Sequence, residues 1–178
     1  MNVILIGFRC TGKTAVGREL ARRLGRPFVD GDTCLQERAG KSIAAVFAEG
    51  GEPLFRRLER EVLVELTQKD GIVLAAGGGA VLDAENVRRL RGSGLVVRLT
   101  ASLETILRRL ADDEKTESER PRLTGEADLR REVEQLLARR EPFYRRAAQV
   151  TIDTEGLTVS QVADEVLGQL SAREAPAP

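Results

Sequence analysis

The chain has 178 residues, of which 42% are hydrophobic and 31% charged, as in an ordinary soluble globular domain. Its 28 basic and 28 acidic residues cancel, and only 3% of residues are aromatic, so we expect no nucleic-acid and no membrane partner. The absence of histidine excludes histidine-based triads and histidine-ligated metals. Any catalysis must therefore depend on carboxylates, lysine, arginine, backbone amides or a bound ion.

Strand-like and helix-like segments alternate along the chain. Short runs rich in β-formers predict strands at residues 2–7, 27–30, 71–75, 95–99 and 149–153. Apolar residues at helical spacing predict helices after the first strand, after Glu52, and at residues 83–91, 102–111, 128–146 and 159–170. The alternation predicts an α/β fold, in which a parallel five-stranded sheet is flanked by helices.

Two stretches depart from this alternation. Residues 112–119 are polar and mostly acidic, which predicts a mobile loop. Residues 171–178 are rich in alanine and proline, which predicts a disordered tail after a single domain of residues 1–170.

The apolar run at residues 3–6 is too short for a signal or membrane segment, and the two cysteines have no zinc or disulfide spacing. We expect a cytoplasmic monomer.

Residues 7–14 read Gly-Phe-Arg-Cys-Thr-Gly-Lys-Thr and match the phosphate-loop pattern G-x-x-x-x-G-K-[ST] in full, between a predicted strand and helix. In such a loop the backbone N–H groups hold phosphate oxygens, Lys13 reaches the β- and γ-phosphates, and the Thr14 hydroxyl ligates Mg²⁺. The residues predicted to bind the nucleotide are Cys10, Thr11, Gly12, Lys13, Thr14 and Ala15. No guanine-reading N-K-x-D motif occurs in the sequence, which favours a small-molecule kinase over a GTPase.

Asp30 and Asp32 close the second predicted strand, at the sheet edge where α/β proteins bind ligands. One carboxylate could accept the proton of an acceptor hydroxyl, as in other phosphoryl transferases, and the other could hold Mg²⁺ through water. The plain alternative is an Asp-Gly turn with capping carboxylates.

Arg56 and Glu59 lie on the long predicted helix. At 100° per residue, Glu59 falls inside the apolar face and Arg56 on its edge. Because a buried carboxylate needs a partner, this placement predicts an ion pair that holds Arg56 ready to bind an anion. A surface ion pair of little value is the alternative.

Three consecutive glycines, Gly77, Gly78 and Gly79, follow the third predicted strand. They would let the backbone approach a ligand closely and offer it N–H groups, although a flexible turn would have the same sequence.

Two further arginines are candidates for anion contacts. Arg120 ends the acidic loop and could close over phosphates, and Arg140 precedes Pro142, which predicts a break or kink in the helix. By composition alone, these arginines would be assigned to a solvated face.

Together these residues resemble the shikimate kinase family, from about residue 3 to residue 170. The order is the phosphate loop, D-x-D, F-R-R-L-E, G-G-G-A, R-P-R-L and R-E-P-F-Y. The resemblance implies a P-loop NTPase-type fold with a substrate-binding helical region near residues 31–62 and a mobile lid near residues 111–125. It implies ATP-dependent phosphorylation of the shikimate 3-hydroxyl with Mg²⁺, in chorismate and aromatic amino acid biosynthesis.

The resemblance also implies roles for individual residues. Asp32 would be the base or positioner, with Lys13 and Arg120 as the other catalytic residues. Thr14 would ligate the metal, assisted by Asp30 through water, and Arg109 would stack on adenine. The residues implied for the acceptor are Asp32, Arg56, Glu59, Gly77, Gly78, Gly79 and Arg140, with the two arginines on the shikimate carboxylate.

Two other functions compete with this interpretation. A P-loop kinase for another polyhydroxy acid, such as gluconate, would need different acceptor residues, so the Arg56 and Arg140 pair argues against it. A nucleotide-binding regulatory module without catalysis is disfavoured by four intact residues, Lys13, Thr14, Asp30 and Asp32.

Cys10 stands in the phosphate loop where many family members carry a small residue or glycine. Its position among backbone N–H groups, before a helix N-terminus and close to Lys13, predicts a lowered thiol pKa and ready alkylation. A packed, inert thiol is the alternative.

Overall fold

Five parallel strands form the central sheet of the computed structural model, which describes residues 1–112 and 128–174. They are β1 (Asn2–Ile6), β2 (Phe28–Asp30), β3 (Val73–Ala75), β4 (Gly94–Thr100) and β5 (Val150–Asp153). The order across the sheet is β2-β3-β1-β4-β5, and every neighbouring pair is parallel. The predicted five-stranded parallel sheet is confirmed.

Helices cover both faces of this sheet. Within the described residues they are α1 (Lys13–Leu24), α2 (Gly31–Ala39), α3 (Ile43–Leu66), α4 (Ala84–Ser93), α5 (Leu103–Ala111), α6 (Leu129–Ala147) and α7 (Val159–Glu174), with a 3₁₀ turn at Ala80–Leu82. The sequence predicted all of these helices except α2 and the first half of α3.

The strand β1 runs through the middle of the core. Ile4 and Ile6 pack into an apolar cluster shared with α3, α4 and α6, whereas Val3 and Leu5 face a second cluster shared with α1 and α7. Burial on both faces explains why β1 is continuously apolar rather than alternating. Because all the strands are parallel, the loops that follow β1, β2 and β3 meet at one edge of the sheet.

A bend divides α3 into two segments. Gly51 has φ 62° and ψ −161°, outside the helical range, and Pro53 follows in the first turn of the second segment. Proline is tolerated at that point because the first turn of a helix needs no intrahelical donor. The second segment carries Arg56 and Glu59.

Of the break or kink predicted at Pro142, the break is wrong, because α6 continues through the proline to Ala147. Contacts on both sides of the proline hold the helix in place. Glu141 accepts a hydrogen bond of 3.0 Å from Arg98 on β4, and the Tyr144 hydroxyl donates to the Gly78 carbonyl at 2.5 Å. They join α6 to β4 and to Gly78 on either side of a proline that lacks one backbone donor.

The end of the chain also differs from the prediction. The helix α7 continues to Glu174, so the first part of the expected tail at residues 171–178 is helical, and the remainder lies outside the described residues. Most of the expected lid, including Arg120, also lies outside them. Among residues 1–112 and 128–174, no helix has the length and apolar character that a membrane span requires.

Candidate active site

The phosphate loop, residues 7–14, runs from the end of β1 to the first turn of α1. Gly7 and Gly12 have φ values of 147° and 95°, a range that favours glycine. A Cβ at Gly7 would lie 2.4 Å from the Leu99 carbonyl oxygen, so β4 leaves no room for a side chain there. The motif therefore has the strand–loop–helix context that its match requires, with the N–H groups of the first turn of α1 at the loop.

Side chains within the loop brace its backbone. Lys13 Nζ donates to the carbonyl oxygens of Gly7 at 2.9 Å and Phe8 at 2.8 Å. The buried Thr11 hydroxyl donates to the same Phe8 oxygen at 2.8 Å. Thr11 can therefore contribute to phosphate binding only through its backbone, whereas the Lys13 ammonium is held at the start of the loop.

Asp30 joins the phosphate loop to the next element. The Thr14 hydroxyl donates to its Oδ2 at 3.1 Å, while its Oδ1 caps α2 by accepting from the Asp32 N–H at 3.1 Å. A hydroxyl and a carboxylate beside bound phosphates fit the oxygen ligands that Mg²⁺ prefers. In the described ranges no three His, Cys, Asp or Glu side chains cluster as metal ligands, so such an ion would take its other ligands from phosphate and water.

A cavity of about 580 Å³ opens beside the phosphate loop at the carboxyl edge of the sheet. Residues predicted for both substrates line it: Lys13, Thr14, Asp30, Asp32, Gly78 and Arg109. Arg18 on α1 and Gln36 on α2 also line it and were not predicted. Neither belongs to a motif, so the sequence carried no signal for them.

The triglycine loop (Gly77, Gly78 and Gly79) packs directly against the predicted acceptor residues. A Cβ at Gly77 would lie 2.8 Å from Asp32 Oδ1 and 3.0 Å from Glu59 Oε1. A Cβ at Gly79 would lie 2.3 Å from Arg56 Nη1. A side chain at Gly77 or Gly79 would force these groups to shift, so the loop packs closely at both positions rather than forming a loose turn.

Glu59 and Arg56 form the ion pair that the helical spacing predicted. Glu59 is 6% exposed, and its Oε2 accepts from Arg56 Nη1 at 2.6 Å. Its other oxygen has no hydrogen-bond partner among the described residues. Burial raises the pKa of Glu59 above its usual range, and Arg56 offsets only part of that rise. Burial alone would lower the pKa of Arg56, but the paired carboxylates raise it.

Tyr144 and Arg140 reach the triglycine loop from α6. The Tyr144 hydroxyl donates to the Gly78 carbonyl at 2.5 Å, and Arg140 Nη1 donates to the same oxygen at 3.4 Å. Burial raises the pKa of Tyr144 to about 12, so its hydroxyl stays protonated at neutral pH. The Arg98 guanidinium lies 5.4 Å from the Tyr144 ring centre. Tyr144 is not among the predicted site residues, because its partner Gly78 lies 66 positions away along the chain.

Tyr144→Phe should lower the free energy of unfolding by about 1–3 kcal/mol, since it removes the shorter of the two hydrogen bonds to the partly buried Gly78 carbonyl. Urea unfolding measures this loss. Phe143→Leu is the matched control, because Phe143 is the neighbouring aromatic residue and is 42% exposed. An equal loss in both variants would show that the hydrogen bond to Gly78 does not matter.

Arg109 bridges the phosphate loop and the end of β5. Its Nη1 donates to the Cys10 carbonyl at 3.1 Å and to the Thr154 hydroxyl oxygen at 3.3 Å. The expected stacking of Arg109 on adenine stays a prediction. The neighbouring Glu155 accepts from the Thr105 hydroxyl at 2.7 Å and so ties the loop after β5 to α5.

Cys10 is the one non-glycine residue with a positive φ, 61°, in the part of the chain that the structure describes. Its side chain packs against an apolar cluster that includes Phe8 and Ile106, and it also lines the cavity. The left-handed backbone explains why glycine suits this position.

Cys10 should react with N-ethylmaleimide, and MgATP should protect it, because the nucleotide would cover the same loop. Cys34 is the internal control, since burial raises the pKa of its thiol and slows alkylation. Peptide mass mapping with and without MgATP distinguishes the two thiols. An unlabelled Cys10 in the nucleotide-free protein, or labelling indifferent to MgATP, would overturn the expectation.

Comparison with known proteins identifies the family of this chain. Residues 9–171 match the family model described as shikimate kinase. The shikimate kinase of Syntrophus aciditrophicus is 42% identical over 97% of this chain and 92% of its own length. That of Symbiobacterium thermophilum is 44% identical over 97% and 98%. The structure of shikimate kinase from Acinetobacter baumannii in complex with shikimate superposes with a TM-score of 0.90 at 35% identity, covering 98% of this chain and 95% of that one. The chain belongs to the shikimate kinase family.

Proposed function

We propose that this chain transfers the γ-phosphoryl group of ATP to the 3-hydroxyl of shikimate, giving shikimate 3-phosphate and ADP. The observation that carries the proposal is the triglycine loop, against which Asp32 and the Arg56–Glu59 pair converge beside a complete phosphate loop. Family membership supports the same reaction.

On the nucleotide side, the phosphate loop and the N-terminus of α1 bind the phosphates through backbone N–H groups. Lys13 Nζ, which contacts the Gly7 and Phe8 carbonyl oxygens, would bind the β- and γ-phosphates. Thr14 and Asp30 would hold Mg²⁺, which neutralises phosphate charge when bound.

On the acceptor side, Arg56 and Arg140 bind the shikimate carboxylate, and Glu59 fixes the orientation of Arg56. Both arginines contact the triglycine loop, Arg56 at Gly79 and Arg140 at Gly78, so they converge on one place. Holding the carboxylate there aims the ring hydroxyls toward Asp32, which reduces the entropic cost of reaction.

Asp32 takes the proton from the 3-hydroxyl as its oxygen bonds to the γ-phosphorus, and the bond from that phosphorus to the bridging oxygen of ADP breaks. Asp32 suits this task better than Glu59. It lines the cavity, whereas Glu59 is buried and paired with Arg56.

Three parts of the proposal depend on the resemblance to the family. Arg120 and the expected lid near residues 111–125, nearly all of which lie outside the described residues, would contact the phosphates and exclude water. The substrate-binding region spans about residues 31–62 of a single domain at residues 1–170. The chain acts as a cytoplasmic monomer.

A panel of acceptors tests the function. With MgATP, ADP release should require shikimate, and ³¹P NMR should identify a phosphate monoester on the 3-oxygen. Gluconate should give no turnover above the rate without acceptor. Turnover with gluconate alone would favour the other small-molecule kinase, and nucleotide binding without turnover on any acceptor would favour a regulatory module.

A further inference from the structure

Arg56 forms ion pairs with two carboxylates that differ sharply in exposure. Its Nη1 donates to Glu59, whose side chain is 7% exposed. Its Nε and Nη2 both donate to Oε1 of Glu52, at 3.2 and 3.1 Å, and the Glu52 side chain is 63% exposed. The buried partner is fixed by packing, whereas the exposed partner can leave for water.

Glu52 occupies the edge of Arg56 that a ligand carboxylate would use. The end of the guanidinium faces Gly79, where a Cβ would lie 2.3 Å from Nη1 and 2.4 Å from Nη2. The Nε–Nη2 edge therefore remains as the two-pronged site for an incoming carboxylate. Glu52 already fills it with a carboxylate of its own.

The charges around Arg56 also indicate competition between Glu52 and an anionic ligand. Arg56 faces Glu52 and Glu59, and Asp32 raises the pKa of Glu59 through its charge, so it also lies within electrostatic range. An anionic substrate enters against these carboxylates, with Arg140 as the second cation. Because exposed pairs four residues apart on a helix contribute little to stability, Glu52 can be displaced at small cost.

We propose that Glu52 holds the substrate-carboxylate position on Arg56 in the empty site and that shikimate must displace it, so that Glu52 limits the affinity for the acceptor. The inference rests on the proposed function, in which Arg56 binds that carboxylate. A different role, in which Glu52 orients Arg56 for the substrate, predicts a change of the opposite sign.

Glu52→Gln should therefore lower the Kd for shikimate, measured by isothermal titration calorimetry, and the KM for shikimate by about two- to fivefold, as expected for loss of one exposed charge pair. Glu52→Ala, which also removes the hydrogen-bond acceptor, should lower them at least as far. The KM for ATP should not change.

Glu49→Gln is the matched control, because Glu49 is another exposed glutamate of α3, paired with Lys41 rather than with Arg56. It should leave both shikimate constants unchanged. The methyl ester of shikimate, which lacks the anionic carboxylate, should bind wild type and Glu52→Gln equally.

Arg56→Ala separates the failure of this inference from the failure of the proposed site. If Arg56→Ala raises the KM for shikimate but Glu52→Gln leaves it unchanged or raises it, the competition is overturned and the proposed site stands. If Arg56→Ala does not alter the KM, both fall. In the Arg56→Ala background, adding Glu52→Gln should not lower the KM for shikimate further.

Discussion

Asp32→Asn should reduce kcat by about 10²- to 10⁴-fold, the range that a positioned general base contributes, while ATP still binds. The amide keeps the size of the carboxylate but cannot take the proton of the acceptor hydroxyl. The fold should tolerate the change, because Asp30 rather than Asp32 caps α2.

Steady-state kinetics at saturating shikimate measure this loss, and calorimetric titration with a non-hydrolysable ATP analogue shows whether the nucleotide site is intact. Asp83→Asn is the matched control, since Asp83 caps α4 and does not line the cavity. A kcat close to that of wild type in Asp32→Asn would remove Asp32 from the mechanism.

Arg56→Ala should lower kcat/KM for shikimate by about ten- to a hundredfold, the value of a charge-assisted contact, and leave the KM for ATP unchanged. Arg140→Ala should act in the same direction. Arg56→Lys should not restore full activity, because an ammonium lacks the planar fork that engages a carboxylate on one edge and Glu59 elsewhere.

Shikimate titrations at fixed ATP separate this effect from damage to the nucleotide site. Arg57→Ala is the control, because Arg57 is the exposed neighbour on the same helix. Titration curves of Arg56→Ala that match wild type would show that the assigned carboxylate contact is wrong.

The sequence predicted those features whose determining residues all lie within one segment of the chain. The phosphate loop contains its glycines, lysine and hydroxyl in eight consecutive residues, and its strand and helix follow directly from flanking apolar residues. The burial of Glu59 followed from helical geometry alone, because the apolar arc of α3 includes that position.

Other features depend on contacts that a local pattern does not show. The helix α2 is short and buries little besides Leu35, and its start is set by the Asp30 cap, which resembles an ordinary turn in sequence. The bond from Tyr144 to Gly78 joins residues 66 positions apart. The contact of Glu52 with Arg56 has the common i,i+4 spacing of a helix. Only the packing of Arg56 against Gly79 shows that Glu52 occupies the edge left for a ligand carboxylate.

Each glycine of the triglycine loop lies next to a different group of the acceptor side. A methyl group at Gly78 would meet Arg140 and Tyr144 at 3.7 Å, an ordinary van der Waals distance, whereas one at Gly79 would overlap the Arg56 guanidinium. At Gly77 the same group would press on the carboxylates of Asp32 and Glu59. The three adjacent positions therefore differ in steric tolerance. An added methyl group would displace Asp32 at Gly77 and Arg56 at Gly79, but neither of them at Gly78.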